Sequence, residues 1–443
     1  PQQGGPPAES AADQNTLRYP KLLKNVMSGC ENIPKSEKSD SPDLPPDHCA
    51  EAALPAGFQY AGVTCGIKPS GKPDLSLIVS DRPVVAAGVY TQNQIVAAPV
   101  ILSRQRTPAE TIRAVVTNSG NANACTGDQG LQDAAAMCQL VADLVGCQPE
   151  HVLVMSTGII GKHLPMDCVR RGIREAYQQI TPTVAGFLSS AEAIRTTDKD
   201  RKTVTAEIEV GQRQFRVAAM AKGAGMIAPN MATMLACMLT DAPLTTDMAQ
   251  ETLRQAAKTS FNRVSVDGHT STNDTLLLMS SGEGTPLNTN ELQIFQKELT
   301  RVAIKLAKQL VADGEGARHL MAIRIEGAAN EADAETIART VAASPLVKTA
   351  VTGADPNWGR IVSAAGYADA EVVPEKTSLQ ICGITIYHHG APVPFDEPAL
   401  SNKMKSSPEV SIVLRVGQGP GTVEYWSSDL TTSYVEFNSE YTT

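Results

Sequence analysis

The densest chemistry in this chain lies between Lys222 and Leu239, KGAGMIAPNMATMLACML. Two different readings fit parts of that stretch. Gly223-Ala224-Gly225-Met226-Ile227-Ala228 follows a strand-like run and matches G-x-G-x-x-[GA], the glycine pattern that lets backbone approach a pyrophosphate. Yet Pro229 and Asn230 would fall inside the helix that must come next, and a βαβ unit needs about 30 residues. The same residues also read as a polar, glycine-rich approach that turns at Pro229-Asn230 and enters an apolar strand at Met234–Leu239. Thr233 stands at the start of that strand. Cleavage before it would free an α-amine titrating near about pH 7.7–8.0, able to serve as base for the residue's own hydroxyl. The plainer alternative is a threonine on a strand face, a common place for that residue.

A second candidate, Gly66-Ile67-Lys68-Pro69-Ser70-Gly71-Lys72-Pro73, nearly completes G-x-x-x-x-G-K-[ST]. Its last position is Pro73, which has neither a hydroxyl for Mg²⁺ nor an N–H for phosphate, so the segment reads as a turn. Metal chemistry finds no pattern. The nine cysteines include no C-x-x-C, and the seven histidines no H-x-x-x-H. His388 and His389 are adjacent and would point to opposite faces of a strand. Reduced, buried thiols in an intracellular protein are expected, with no bound metal. If the chain is an enzyme, its base need not be histidine.

Composition removes further classes. With 38 Lys+Arg against 47 Asp+Glu the net charge is −9, and aromatics are 4% of 443 residues. Nucleic-acid binding, which wants a basic face and stacking rings, is not expected. No apolar run reaches the roughly 18 residues of a membrane span. Residues 1–50 hold eight of the 28 prolines and seven acidic against five basic residues. They read as a disordered extension and not as a transit peptide.

Elements able to position these groups start near Phe58. Strands are expected at Gln59–Thr64, Leu75–Val79, Val84–Tyr90, Arg113–Thr117, Thr203–Val210, Phe215–Ala219, Met321–Ile325, Leu379–Ile381 and Val410–Val416. Apolar spacing predicts helices over Leu131–Val145, about Glu291–Val311 and Glu331–Ala343. Another starts near Asp247, with Gln250 placed as in a capping box. Strands and helices mix without strict alternation, which predicts an α/β or α+β fold of mixed sheets with helices packed on the outside.

The stretch Lys222–Leu235 resembles the self-cleavage segment of the glutamate N-acetyltransferase/ornithine acetyltransferase family. Further agreement comes from Gly66–Val79 (GIKPSGKPDLSLIV), Asn118–Gly127 (NSGNANACTG), Ser156–Gly161 (STGIIG), Asp267–Thr275 (DGHTSTNDT), Gly353–Ile361 (GADPNWGRI) and Asn438–Thr443 (NSEYTT). Together these run from about Phe58 to the end. The resemblance implies an ornithine acetyltransferase/DmpA-like fold. It implies self-cleavage between Ala232 and Thr233 into an α chain (51–232) and a β chain (233–443), associated as α2β2. It implies acetyl transfer from N2-acetylornithine to glutamate through acetyl-Thr233, a step of arginine biosynthesis. Acetyl-CoA enters as a second donor in some members, and no cofactor is implied. Thr157 and Gly158 would form the oxyanion hole. Thr196, Lys222, Thr233, Glu315, Asn438 and Thr443 would contact substrate, with Thr197 as the alternative one residue on. The chain departs from the family's proline-containing stretch at Lys199-Asp200-Arg201-Lys202, which adds charge near the pocket. The rival with the same nucleophile is a self-processing amide hydrolase or aminopeptidase. The expected compartment is the cytoplasm, or an organellar matrix in a eukaryote.

Overall fold

The computed structural model describes residues 54–228 and 234–440. The expected extension at 1–50, and Ala232, Thr233 and Thr443, lie outside the described residues. In chain order, β1 (Phe58–Val63) and the long β2 (Leu75–Tyr90) precede α1 (Ala98–Gln105), β3 (Ala109–Asn121), α2 (Gly127–Val145) and β4 (Val152–Ile159). Then come α3 (Met166–Gln179), α4 (Val184–Ala193), β5 (Lys202–Val210), β6 (Arg213–Lys222) and β7 (Leu235–Thr240). They are followed by α5 (Thr246–Thr259), β8 (Val264–Ser265), β9 (Thr275–Ser280) and α6 (Thr289–Ala312). The remainder is β10 (Leu320–Ala328), α7 (Glu331–Ala343), α8 (Pro345–Thr352), α9 (Trp358–Gly366), β11 (Ser378–Ile381), β12 (Ile384–His388), β13 (Ala391–Pro392), α10 (Glu397–Ser406), β14 (Glu409–Arg415), β15 (Gly421–Ser428) and α11 (Thr432–Glu440).

Two mixed sheets result. The first runs β4-β3-β2-β9-β7-β6-β5, with β1 also on β2; the second runs β13-β12-β11-β14-β10-β15-β8. In the first, β7 lies parallel to β9 and antiparallel to β6. The strand β2 joins its two halves. Residues 75–79 pair with β1 and β3, whereas 85–90 pair with β9. The register on β3 shifts between Val79 and Val84, a bulge that bends the strand. Side chains from both halves therefore meet in one core: Ile78, Val115 and Leu153 with Met220, Cys237 and Leu277, around Phe187 of α4. On the opposite faces, α2 and α3 cover Leu77, Val116 and Val154, while α5 and α6 cover Val217, Met238 and Leu278.

Helices are not all peripheral. The core of α6 also takes in Leu320 and Trp426 from the second sheet, so this helix serves both layers. Helices α7 to α10 cover only one face of the second sheet, over Ile323, Ile412 and Leu414. Its other face packs Leu320 and Trp426 against α6 and turns polar further along, where Arg324 and Arg415 pair with Glu326.

Several expectations shift. The runs 75–79 and 84–90 are one strand, interrupted at residues 81–83, which have no ladder partner, where the register on β3 shifts. The strand over 113–117 extends through Asn121. Thr245, not Asp247, caps α5 by accepting from Met248 N, and Gln250 Nε2 reaches across to Gly88 O. The box that does form is Asn288 with Glu291 at α6. Among the described residues no helix is long and apolar enough to cross a membrane.

Candidate active site

Strand β6 ends at Lys222, paired with Leu235 where β7 begins, so the chain makes an excursion that leaves the sheet after Lys222 and returns to it at Leu235. Both ends of this excursion are held by buried carboxylates. At the outgoing end Asp198 Oδ1 accepts from Gly223 N at 2.6 Å. At the returning end Asp274 Oδ1 accepts from Met234 N at 3.0 Å. Between them, Met226 N and Ile227 N donate to Asp267 at 2.6 and 2.9 Å.

The tip of β4 meets the end of β6, although the two strands are not neighbours in the first sheet. Lys222, 3% exposed, places Nζ 3.2 Å from Thr157 Oγ1. Thr157 and Gly158 close β4 against Ser119 and Gly120 of β3. Gly158 adopts φ 133°, and a Cβ there would stand 2.3 Å from the Gly120 carbonyl carbon. Only glycine permits that approach. Burial pulls the Lys222 ammonium below its ordinary range, opposed first by Asp198. Burial also works against the Asp198 carboxylate, but Lys202 and Lys222 together hold it well below the usual range.

Of the departure at 199–202, Lys199 and Asp200 are exposed and Lys202 turns inward. Lys202 is 2% exposed and salt-bridged to Asp198 and Asp313, so its charge is spent inside the fold and not in the pocket.

Glu315, just after α6, donates its N–H to Ala224 O at 2.8 Å. Its Oε1 accepts from Thr197 Oγ1 at 2.7 Å and its Oε2 from Asn438 Nδ2 at 3.1 Å. Thr197, the alternative to Thr196, is thus the threonine bonded to Glu315; Thr196 donates its N–H to Asp198 instead. A Cβ on Gly225 would lie 2.3 Å from Glu315 Oε2. The G-x-G pattern therefore lets a carboxylate, not a pyrophosphate, lie against the backbone. The near P-loop is filled too. Asp74, fully buried, accepts from the N–H groups of Cys65, Gly66, Ile67 and Lys68 at 2.6–3.1 Å, leaving none of these four for phosphate. Lys68 packs beside Gly120, and burial pushes its ammonium down to about 8 despite Asp74.

The structure thus joins Thr157, Gly158 and Lys222 on one side, and Glu315, Asn438 and Thr197 on the other. Asp198, Asp267 and Asp274 had no role assigned from sequence. Two of them stand in DGHTSTNDT, one of the stretches that carry the family resemblance, which was the available signal. Among the described residues no group of three or more His, Cys, Asp or Glu could hold a metal ion, and seven cysteines are free.

A family model described as the ArgJ family matches residues 59–443. The chain belongs to the ArgJ family. It is 58% identical over 402 residues to the arginine biosynthesis bifunctional protein ArgJ of Rhodopirellula baltica, covering 90% of this chain and 98% of that protein. The ArgJ protein of Symbiobacterium thermophilum is 45% identical over 395 residues, 88% of this chain and 98% of its own. Among solved structures, an ornithine acetyltransferase complexed with ornithine from Mycobacterium tuberculosis is 39% identical. That alignment covers 42% of this chain and 96% of that one, with a TM-score of 0.39. The ArgJ match spans both sheets and every described site residue, and begins in β1.

Proposed function

We propose that this ArgJ-family chain cleaves itself between Ala232 and Thr233 and then moves an acetyl group from N2-acetylornithine to glutamate through Thr233. The observation that carries the reading is the pairing across the excursion between β6 and β7: Lys222 against Thr157 at 3.2 Å, and Glu315 against the Gly225 backbone. An acylated diamino acid has matching parts. Its carboxylate suits Lys222, its free ammonium suits Glu315, and its acetyl carbonyl would lie toward Thr157-Gly158. Asn438, and Thr443 at the chain's end, complete the proposed pocket with Thr196 or Thr197.

In the first half-reaction the Thr233 amine takes the hydroxyl proton and Oγ attacks the acetyl carbon. The oxyanion gathers at Thr157 and Gly158, where a fixed donor is worth about 10²–10³ in rate. The carbon–nitrogen bond breaks, ornithine leaves with the proton, and an acetyl ester remains on Thr233. Glutamate's amine then attacks the ester and restores the Thr233 hydroxyl. No cofactor takes part. Acetyl-CoA would acylate Thr233 from a thioester, a second route consistent with the name "bifunctional" borne by the relatives.

Cleavage need not separate the pieces. The first sheet draws β1 to β6 from one side of residue 233 and β7 and β9 from the other, joined along β6–β7 and β2–β9. We propose α and β chains paired as α2β2 in the cytoplasm. Ornithine release from acetylornithine, measured with and without glutamate, tests the reading. Release that depends on glutamate and yields N-acetylglutamate is expected. Equal release without glutamate would instead mark a hydrolase.

A further inference from the structure

The two substrates of the proposed transfer differ at one end. Acetylornithine ends its side chain in an ammonium and glutamate in a carboxylate, while both present an α-carboxylate beside the reacting nitrogen. Glu315 suits the ammonium, and like charge works against the carboxylate there. A pocket that takes both in turn needs a cation for the second. Several cations near Lys222 are committed elsewhere. Lys202 is salt-bridged to Asp198 and Asp313. Arg195 Nη1 donates to both Glu192 oxygens, and its Nη2 to the Asp198 and Lys199 carbonyls. Lys68 is different. Its stem lies on Gly120, where a Cβ would stand 2.9 Å from Lys68 Cγ. Gly120 pairs with Gly158 across β3 and β4, one residue from Thr157, which Lys222 touches. Two lysines thus converge on one glycine corner, one from β6 and one from the loop after β1. Lys68, Gly120 and Gly158 are all partly exposed, so a solute can reach them. Among the described residues Lys68 Nζ donates only to Pro73 O, at 2.6 Å, one use of its three donors. The carboxylates whose charge reaches it, Asp74, Asp198 and Glu192, are each bonded to other groups. Its pKa of about 8 keeps it mostly charged at neutral pH.

Resting on the proposed acetyl transfer, we propose that Lys68 selects glutamate as acceptor, binding its side-chain carboxylate while Lys222 holds the α-carboxylate. Ornithine and glutamate then share the reacting corner and diverge at their far ends, one toward Glu315 and the other toward Lys68. Asp74 gains a purpose in this arrangement. By gathering the N–H groups of residues 65–68 it fixes where the Lys68 side chain leaves the loop.

The test uses the full-length enzyme with Lys68→Met, which keeps a stem on Gly120 and removes the charge. With N2-acetylornithine as donor, kcat/KM for glutamate should fall about 30-fold, the scale of a lost hydrogen bond to a charged group. Preference for glutamate over glutamine, its uncharged isostere, should largely vanish, and Lys68→Arg should restore part of it. Wild-type values in Lys68→Met would overturn the proposal. So would equal losses for glutamate, glutamine and acetylornithine, which mark a merely structural role. If Lys68→Met does not fold, wild-type enzyme decides, through acylation of its lysines by trace acetic anhydride mapped by peptide mass. Saturating glutamate should shield Lys68 and glutamine should not; labelling indifferent to glutamate overturns the assignment. Wild-type ornithine release that ignores glutamate overturns this assignment together with the acetyl-transfer reading. Glutamate-dependent release with an unaffected Lys68→Met enzyme removes this assignment alone.

Discussion

Asp198 and Asp274 hold opposite ends of the same excursion by the same device, a buried carboxylate accepting a main-chain N–H. Their surroundings differ. Asp198 has Lys202 at 2.6 Å and Lys222 nearby, so burial loses to attraction and the group stays an anion. Among the described residues Asp274 makes no salt bridge, and burial raises its carboxyl well above the usual range. Equal geometry with unequal charge makes one end a clamp and the other a place where a proton can be held.

The largest way to break this comparison is Asp198→Asn. It leaves Lys202 and Lys222 buried beside a neutral amide, and removal of one partner of a buried pair costs about 3–5 kcal/mol. Urea unfolding should show that loss; a stability within about 0.5 kcal/mol of wild type would mean the pair contributes little.

Gly225→Ala comes next. Its Cβ meets Glu315 Oε2 at 2.3 Å, so the carboxylate must move. KM for acetylornithine should rise about tenfold, equivalent to about 1.4 kcal/mol, with melting temperature little changed. An unchanged KM would remove Glu315 from the ornithine ammonium.

A pH series sharpens the contrast. The folded-state pKa of Asp198 lies below its unfolded value, so its contribution is full above about pH 4 and fades as pH falls. That of Asp274 lies above, so stability is lost as pH rises from about 4 through the folded value. Asp274→Asn cannot titrate and should therefore gain on wild type over that rise. Parallel stability curves would show that Asp274 keeps an ordinary pKa.

The smallest effect is expected on the open face of the second sheet. Arg324 is 49% exposed where it meets Glu326 at 2.8 Å. Arg324→Ala should cost about 0–1 kcal/mol, as surface pairs do. A larger loss in thermal melting would show that this face is covered in solution.

Much of this was legible in the sequence, for identifiable reasons. The apolar stripes of α2, α6 and α7 repeat at helical spacing, and Glu331–Ala343 is bounded by Asn330, which caps it. The continuity of β2 was not legible. Asp81-Arg82-Pro83 looks like a turn between two strands, and only the neighbours β3 and β9 show the two runs to be one strand. The cap at Thr245 was hidden by an equally plausible Asp247 two residues on. The resemblance supplied Lys222 and Thr157 without saying why they belong together. Their contact spans 65 residues of sequence and joins β4 to β6, which are not neighbours in the first sheet. Thr197 meets Glu315 across 118 residues, and no local pattern records it. Asp74 shows the converse: a stretch that imitates a phosphate loop is closed by its own carboxylate.

The central claim is that Thr233 becomes a chain terminus and carries the acetyl group. Intact-mass measurement of the purified protein, before and after mixing with N2-acetylornithine and then with glutamate, tests it most directly. The account predicts two chains split between Ala232 and Thr233, an acetyl adduct on the one that begins with Thr233, and its loss when glutamate is added. A single uncut chain that nevertheless transfers acetyl groups at full rate would contradict it.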